Sequence, residues 1–233
     1  ACSNDEVSEA NLSAIEFNPT TKNSVRTVAT TTSTISKFNV WSYTSAGKPV
    51  MENIEVSNAT GVWAYSPVKY WPYEAVLDFY AITPTTLKGT GNGSAEHHID
   101  VAVNSTAAKI NFAAAATGDQ QGSAFVCKNF PDILYATALD LTKNNNSGTE
   151  VLLNFRHAMA QIEFKLKNES PTGSDVRYYV VGISMSGLDA KGTYNLPMAA
   201  STTNEFTVEE SHGAWSNLSN ENDIPYSFVV ASD

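Results

Sequence analysis

Residues 62–84 read VWAYSPVKYWPYEAVLDFYAITP. Trp63, Tyr65, Tyr70, Trp71, Tyr73, Phe79 and Tyr80 all fall in this one stretch. Each ring buries a large apolar area, so a run this dense marks the centre of a core. Val62–Tyr65 and Val76–Ile82 are rich in β-branched and aromatic residues and read as strands. Pro67, Pro72 and Pro84 punctuate them, because proline removes a backbone donor and fixes φ. The stretch predicts a strand, a proline-shaped corner and a second strand, both buried in an all-β domain.

The neighbouring segments extend the pattern. Lys37–Thr44 (KFNVWSYT) is a strand with Phe38 and Val40 on one face and Trp41 and Tyr43 on the other. Two apolar faces predict a central strand or a domain contact. Val50, Ile54 and Val56 share one side of the next strand. Towards the N terminus, Leu12–Phe17 (LSAIEF) reads as a short strand, Asn18–Asn23 as a turn and 24–28 as extended. Residues 1–10 are polar and acidic and read as a flexible tether. Past Pro84, a Gly- and Ser-rich loop leads to His98–Val103, an alternating strand. The Ala-rich run 107–116 is ambiguous, with 113–116 open between a helical turn and a small-residue loop. Asp132–Ala136 is extended, and Asn144–Gly148 (NNNSG) is the clearest break in the chain.

That break predicts two tandem Greek-key β-sandwich domains, 11–146 and 147–233. In the second, Val151, Leu153 and Phe155 keep one parity, whereas Ile162, Phe164 and Leu166 keep the other. Side chains alternate across a strand, so a parity change at His157–Ala160 requires a bulge, a bend or a crossing between layers. Arg177–Ser184, Phe206–Val208 and Ile224–Val230 are further strand candidates. The second unit is short for a complete sandwich, and the expectation is a chain that continues past Asp233.

Composition narrows the class of function. The chain has 233 residues, 42% of them hydrophobic and 16% charged, and is rich in Thr, Ser, Asn and Ala. Such usage suits an extracellular β protein. The formal net charge is -10, with no basic cluster to neutralise phosphates, which argues against nucleic-acid binding. Cys2 and Cys127 are too few for a disulfide framework and lack metal-ligand spacing. Cys127 lies in an apolar run and reads as a small hydrophobe. No apolar span is long enough to cross a bilayer. Ala1-Cys2-Ser3-Asn4-Asp5-Glu6 places a small residue before a cysteine and a polar acidic stretch after it. A processed bacterial lipoprotein begins in this way, with Cys2 as the lipidated residue.

Motifs for chemistry are weak. Gly182–Gly187 (GISMSG) lacks the final glycine spacing of a nucleophile elbow, and no helix pattern follows it. Glu96, His97, His98 and Asp100 contain metal-ligand types, but adjacent strand residues point to opposite faces. His157, beside Arg156, reads as a hydrogen-bonded histidine at a strand bend rather than a catalytic base. No Gly-rich phosphate loop, CxxC pair or HExxH occurs, so no cofactor or metal is expected. Triplets such as Asn104-Ser105-Thr106 carry meaning only in a glycosylating host. Tyr65, Tyr70, Trp71 and Tyr73 form a candidate carbohydrate-stacking platform, although core packing is the commoner use of such rings.

Three segments together carry a family resemblance. Tyr65-Ser66-Pro67-Val68-Lys69-Tyr70-Trp71-Pro72 followed by Leu77–Pro84 resembles the aromatic signature of Bacteroidales fimbrillins, the FimA-like and Mfa-like subunits of type V pili. Asp132-Ile133-Leu134-Tyr135-Ala136 is similar to that family's D-L-L-Y/V-A run. Leu153–Ile162 is similar to its L-x-F-x-H-A-L-A-x-I segment. The matches lie in the family's order between about residues 12 and 195.

The resemblance implies two β-sandwich domains of transthyretin-like topology in a surface lipoprotein, acting as a fimbrial subunit or tip adhesin without an active site. Its partners would be other fimbrial subunits, with a possible host or bacterial surface ligand. It would meet the membrane only through a lipid on Cys2. In the family a protease cuts after an arginine near the N terminus, the first strand leaves, and a neighbour's strand fills the groove. Arg26 occupies a plausible cleavage position. A first strand burying Leu12, Ile15 and Phe17 would leave a groove worth roughly 5–9 kcal/mol of gross burial. That is comparable with a domain's whole stability, about 5–15 kcal/mol. A replacement strand would therefore be strongly favoured. A C-terminal donor segment is not evident after Asp233, which suits either a truncated chain or a subunit, such as a tip subunit, that receives a strand and gives none. The alternative is a surface glycan-binding lipoprotein using the Tyr65–Tyr73 rings. A secreted hydrolase is a third reading and would need converging carboxylates or a triad.

Overall fold

A computed structural model describes residues 13–21, 35–85, 98–114, 125–126, 131–145, 150–160, 162, 164–167, 169, 179–180, 182–199, 212–219 and 226–228. The described residues are all-β. In chain order the strands are β1 (Glu16–Thr21), β2 (Lys37–Thr44), β3 (Pro49–Asn58), β4 (Trp63–Ala64), β5 (Leu77–Thr83), β6 (His98–Asn104) and β7 (Ala107–Ala113). They continue as β8 (Phe125–Val126), β9 (Leu134–Leu141), β10 (Glu150–His157), β11 (Ile183–Met185), β12 (Lys191–Asn195), β13 (Ala214–Ser219) and β14 (Tyr226–Phe228). They form a seven-stranded sheet in the order β1-β10-β9-β5-β2-β3-β4, a four-stranded sheet β13-β12-β7-β6 and a three-stranded sheet β11-β14-β8.

The aromatic stretch lies at the centre. β5 pairs antiparallel with β2 on one side and β9 on the other. Its side chains alternate between two cores, as period two requires. Leu77, Phe79 and Ala81 join Phe38, Val40, Met51, Val56, Leu134, Ala136, Val151, Leu153 and Phe155 in the first core. That core draws mostly on strands of the seven-stranded sheet itself, which therefore curls around it. Tyr80 and Ile82 face the second core with Trp41, Tyr43, Tyr135, Ile110 and Tyr194, between this sheet and the four-stranded one. The two apolar faces read from KFNVWSYT have the same cause: β2 runs between β3 and β5 and contributes to both cores.

Bulges correct the parity. Val40 pairs with Ile54 but Ser42 with Met51, so β3 carries one extra residue, and Asn53 absorbs it at φ 52°. Met51 is thereby buried beside Val56, although the two have opposite parity. Asp140, at φ 55°, occupies the matching irregularity between β5 and β9, and its N–H donates to Asp78 Oδ1 at 2.8 Å.

Several sequence expectations need correction. The turn expected at 18–23 is strand as far as Thr21: β1 runs through Asn18 and Pro19. Pro19 is tolerated because β1 is an edge strand, where a missing donor breaks no central ladder. The ambiguous segment 107–113 is a full strand, with Ala108, Ile110 and Phe112 turned inward. The expected strand beyond the parity change does not form among the described residues. Ile162, Phe164 and Leu166 are exposed and outside any strand. Among the described residues of the 177–184 run, Tyr179 and Val180 are exposed and outside any strand, and Ile183–Met185 begins β11. Alternation is a local signal, and a strand also needs a ladder to a neighbouring strand. Leu12 and the 206–208 run lie outside the described residues.

Pairing also crosses residue 147. β10 joins β1 and β9, and β7 joins β12. The sheets are thus built from chain on both sides of the NNNSG break.

Candidate functional site: the N-terminal strand and its corner

The N-terminal strand is held from two directions. Residues Glu16–Thr21 pair in parallel with Glu150–Phe155 of β10. Immediately before them, the chain meets the proline corner between β4 and β5. Ile15 N–H donates to Lys69 O at 2.9 Å, Trp71 N–H donates to Ser13 O at 3.0 Å, and Ala14 bridges Tyr70. The segment therefore closes the gap between the two ends of the seven-stranded sheet.

Its inward side chains are Ile15, Phe17 and Pro19, while Glu16 and Asn18 face outward. Phe17 sits in an aromatic socket. Its ring centroid lies 5.9 Å from Phe38 and 6.0 Å from Phe79, both edge-on, and 5.7 Å from Tyr65. Burial of Ile15 and Phe17 stabilises this edge by about 1.5–3 kcal/mol each, before ordering costs. At the outer rim, Asn18 Nδ2 donates to Glu150 Oε2 at 3.0 Å, and Thr20 Oγ1 donates to Asn154 Oδ1 at 2.5 Å. On its other side β10 pairs antiparallel with β9, at Arg156–Tyr135 and His157–Leu134.

The corner grips the strand through Tyr65. Its hydroxyl donates to Ile15 O at 2.7 Å and accepts from Lys69 N–H at 3.2 Å. Burial pushes the Tyr65 pKa up, so the group is a neutral donor across the ordinary pH range. Trp71 is buried against Phe79 at 5.8 Å, and its indole N–H has no hydrogen-bond partner among the described residues. Tyr70 and Tyr73 are exposed, at 46% and 90%. The four candidate stacking rings are thus divided: Tyr65 and Trp71 belong to the strand's socket, and only Tyr70 and Tyr73 offer faces to solvent.

Arg26 and Cys2 lie outside the described residues, as do Cys127, Glu96 and His97. His98 and Asp100 lie on β6, where Asn111 Nδ2 donates to Asp100 Oδ2 at 3.5 Å. His157 ends β10, with Nδ1 2.7 Å from Asp132 Oδ1. Beside it the buried Arg156 guanidinium has its pKa lowered by burial, against the opposing effect of Tyr135 and Tyr194. Those two tyrosines are joined at 3.0 Å, and Tyr135 also accepts from Gly213 N–H at 2.7 Å. Gly182–Gly187 surrounds β11, with Gly187 at φ 73°. No group of three or more His, Cys, Asp and Glu converges among the described residues. The contacts of Tyr65, Lys69 and Trp71 with the first strand were invisible in the sequence, because backbone groups make most of them.

A family model described as fimbrillin-like matches residues 21–231. The chain belongs to the fimbrillin-like family. A crystal structure of a fimbrial protein from Bacteroides vulgatus resembles this fimbrillin-like chain at 20% identity and a TM-score of 0.54. The likeness covers 77% of this chain and 57% of that one, so the chain spans little more than half the length of that relative. At this identity the similarity concerns the fold. No curated protein matches the chain.

Proposed function

We propose that this fimbrillin-like protein is a structural or adhesive subunit of a cell-surface fimbria, assembled by strand exchange at the place held by residues 13–21. The observation that carries the reading is the position of that strand. It is the first strand among the described residues, it lies at a sheet edge, and it fills a socket lined by Phe38, Phe79 and Tyr65. Its loss would open an apolar slot beside an unpaired β10 edge, the geometry that β-augmentation uses. In this reading Arg26 is the cleavage site, Cys2 carries a lipid that anchors the protein to the outer membrane, and the protein works by assembly rather than by catalysis. A transthyretin-like sandwich topology belongs to the same proposal, with its layers shared across residue 147 and not divided there.

The test is limited trypsin digestion of the folded chain, read by mass spectrometry, followed by addition of a labelled peptide of sequence 13–21. Selective cutting after Arg26, release of the N-terminal fragment and uptake of the peptide are the expected results. A cut chain that never exchanges its fragment for the peptide would overturn strand exchange. Tyr70 and Tyr73 favour a second reading, a surface that stacks on sugar rings, because both are exposed on the same short corner. Loss of oligosaccharide binding in Tyr73→Ala, with the fold intact, would support it.

A further inference from the structure

We propose that the Tyr65 hydroxyl is a latch that couples the 65–71 corner to the N-terminal strand, so that strand and corner open together and Tyr65 sets how often they do. The biological use of such a latch rests on the strand-exchange reading, but the latch itself is a property of the isolated chain. Three bonds meet at one point. Ile15 offers its N–H to Lys69 O and its carbonyl to the Tyr65 hydroxyl, and Lys69 N–H returns to that same hydroxyl. Both polar backbone groups of Ile15 are thus satisfied by the corner, while its side chain is buried in the core. The Tyr65 ring also forms one wall of the Phe17 socket. Moving the strand outward would strip the hydroxyl of its acceptor and uncover the ring. Moving the corner would orphan both polar groups of Ile15. Neither part leaves without the other. Buried polar groups left unpaired are costly, which makes the two motions one event.

Tyr65→Phe separates the latch from the wall, since it keeps the ring and removes only the hydroxyl. Amide hydrogen exchange of the full chain, followed segment by segment, reads the opening directly. In Tyr65→Phe, exchange over 13–21 and 69–71 should accelerate together by about fivefold, the factor one net hydrogen bond commands. Exchange over 77–83 and 134–141 should be unchanged. Tyr73→Phe, on a fully solvated ring of the same corner, should alter neither segment. Unchanged exchange over 13–21 in Tyr65→Phe would overturn the proposal. So would acceleration of the corner alone, or of all four segments equally. The two readings fail separately. A strand that opens faster in Tyr65→Phe yet never accepts a labelled 13–21 peptide defeats strand exchange and leaves the latch. Peptide uptake with exchange unaltered does the reverse.

Discussion

β1 and β5 are strands of one sheet and of nearly equal length, yet they are held in different ways. β5 has a hydrogen-bonded neighbour on each side and buries side chains on both faces. β1 has one ladder, to β10, and alternates buried with exposed residues until Pro19. Removing β5 would divide both cores. Removing β1 would open one edge of one core and leave β2, β5 and β9 paired. The contrast teaches that membership of a core does not fix how a strand is released; what matters is how many independent layers its residues bind.

The strongest test of that contrast is a pair of truncations in the same socket. Phe79→Ala should cost about 3–5 kcal/mol in chemical denaturation, with unfolding still a single transition. Phe17→Ala removes the same ring but allows the strand to detach while the rest stays folded. Its global loss should be clearly smaller, with residues 13–21 losing exchange protection. Equal global losses in the two variants would break the distinction.

A smaller effect concerns alkaline pH. Burial raises the pKa of Tyr80 on β5 and of Tyr194 across the second core. The unfolded chain releases these protons at about pH 10, while the folded chain retains them. The native state then binds more protons, so stability falls as pH rises above that point. Denaturation midpoints measured between pH 8 and 11 should decline. The smallest effect is at Asp78, whose carboxyl pKa is raised chiefly by burial and further by Asp140 nearby. As pH rises through the carboxylate range, the wild type should lose some stability that Asp78→Asn retains. Asn keeps an acceptor for Asp140 N–H, so a variant less stable than wild type at pH 7 would contradict this account.

The centre was more legible than the edge for the same reason that it is more stable. A strand buried on both faces must be apolar at successive positions, and KFNVWSYT and VLDFYAIT display that directly. Val151, Leu153 and Phe155 were equally plain, and all three are buried. His157 was read as a hydrogen-bonded histidine at a bend, but its partner Asp132 lies 25 residues away and no local pattern names it. β1 was misjudged at Pro19 because turn chemistry and edge-strand chemistry use the same residue. The bulge at Asn53 was hidden because an asparagine at positive φ looks like any asparagine in a sequence. Ile162, Phe164 and Leu166 alternate yet are exposed and outside any strand, which sequence periodicity cannot distinguish from a true strand. The four aromatic candidates were read as one group, whereas the corner turns two inward and two outward.

The parallel pairing of β1 with β10 has a consequence for the order of folding. Parallel strands cannot be joined by a hairpin, and here the connection is long: Asn18 and Glu150 are 132 positions apart. Closing so long a loop carries an entropic cost that the local ladders of β2 with β3 or β6 with β7 avoid. During synthesis β1 precedes β10, and with Asn18 and Glu150 lying 132 positions apart it waits for that length of chain before its partner exists. β1 therefore docks late, and its socket of Phe38, Tyr65 and Phe79 has to be in place before it arrives.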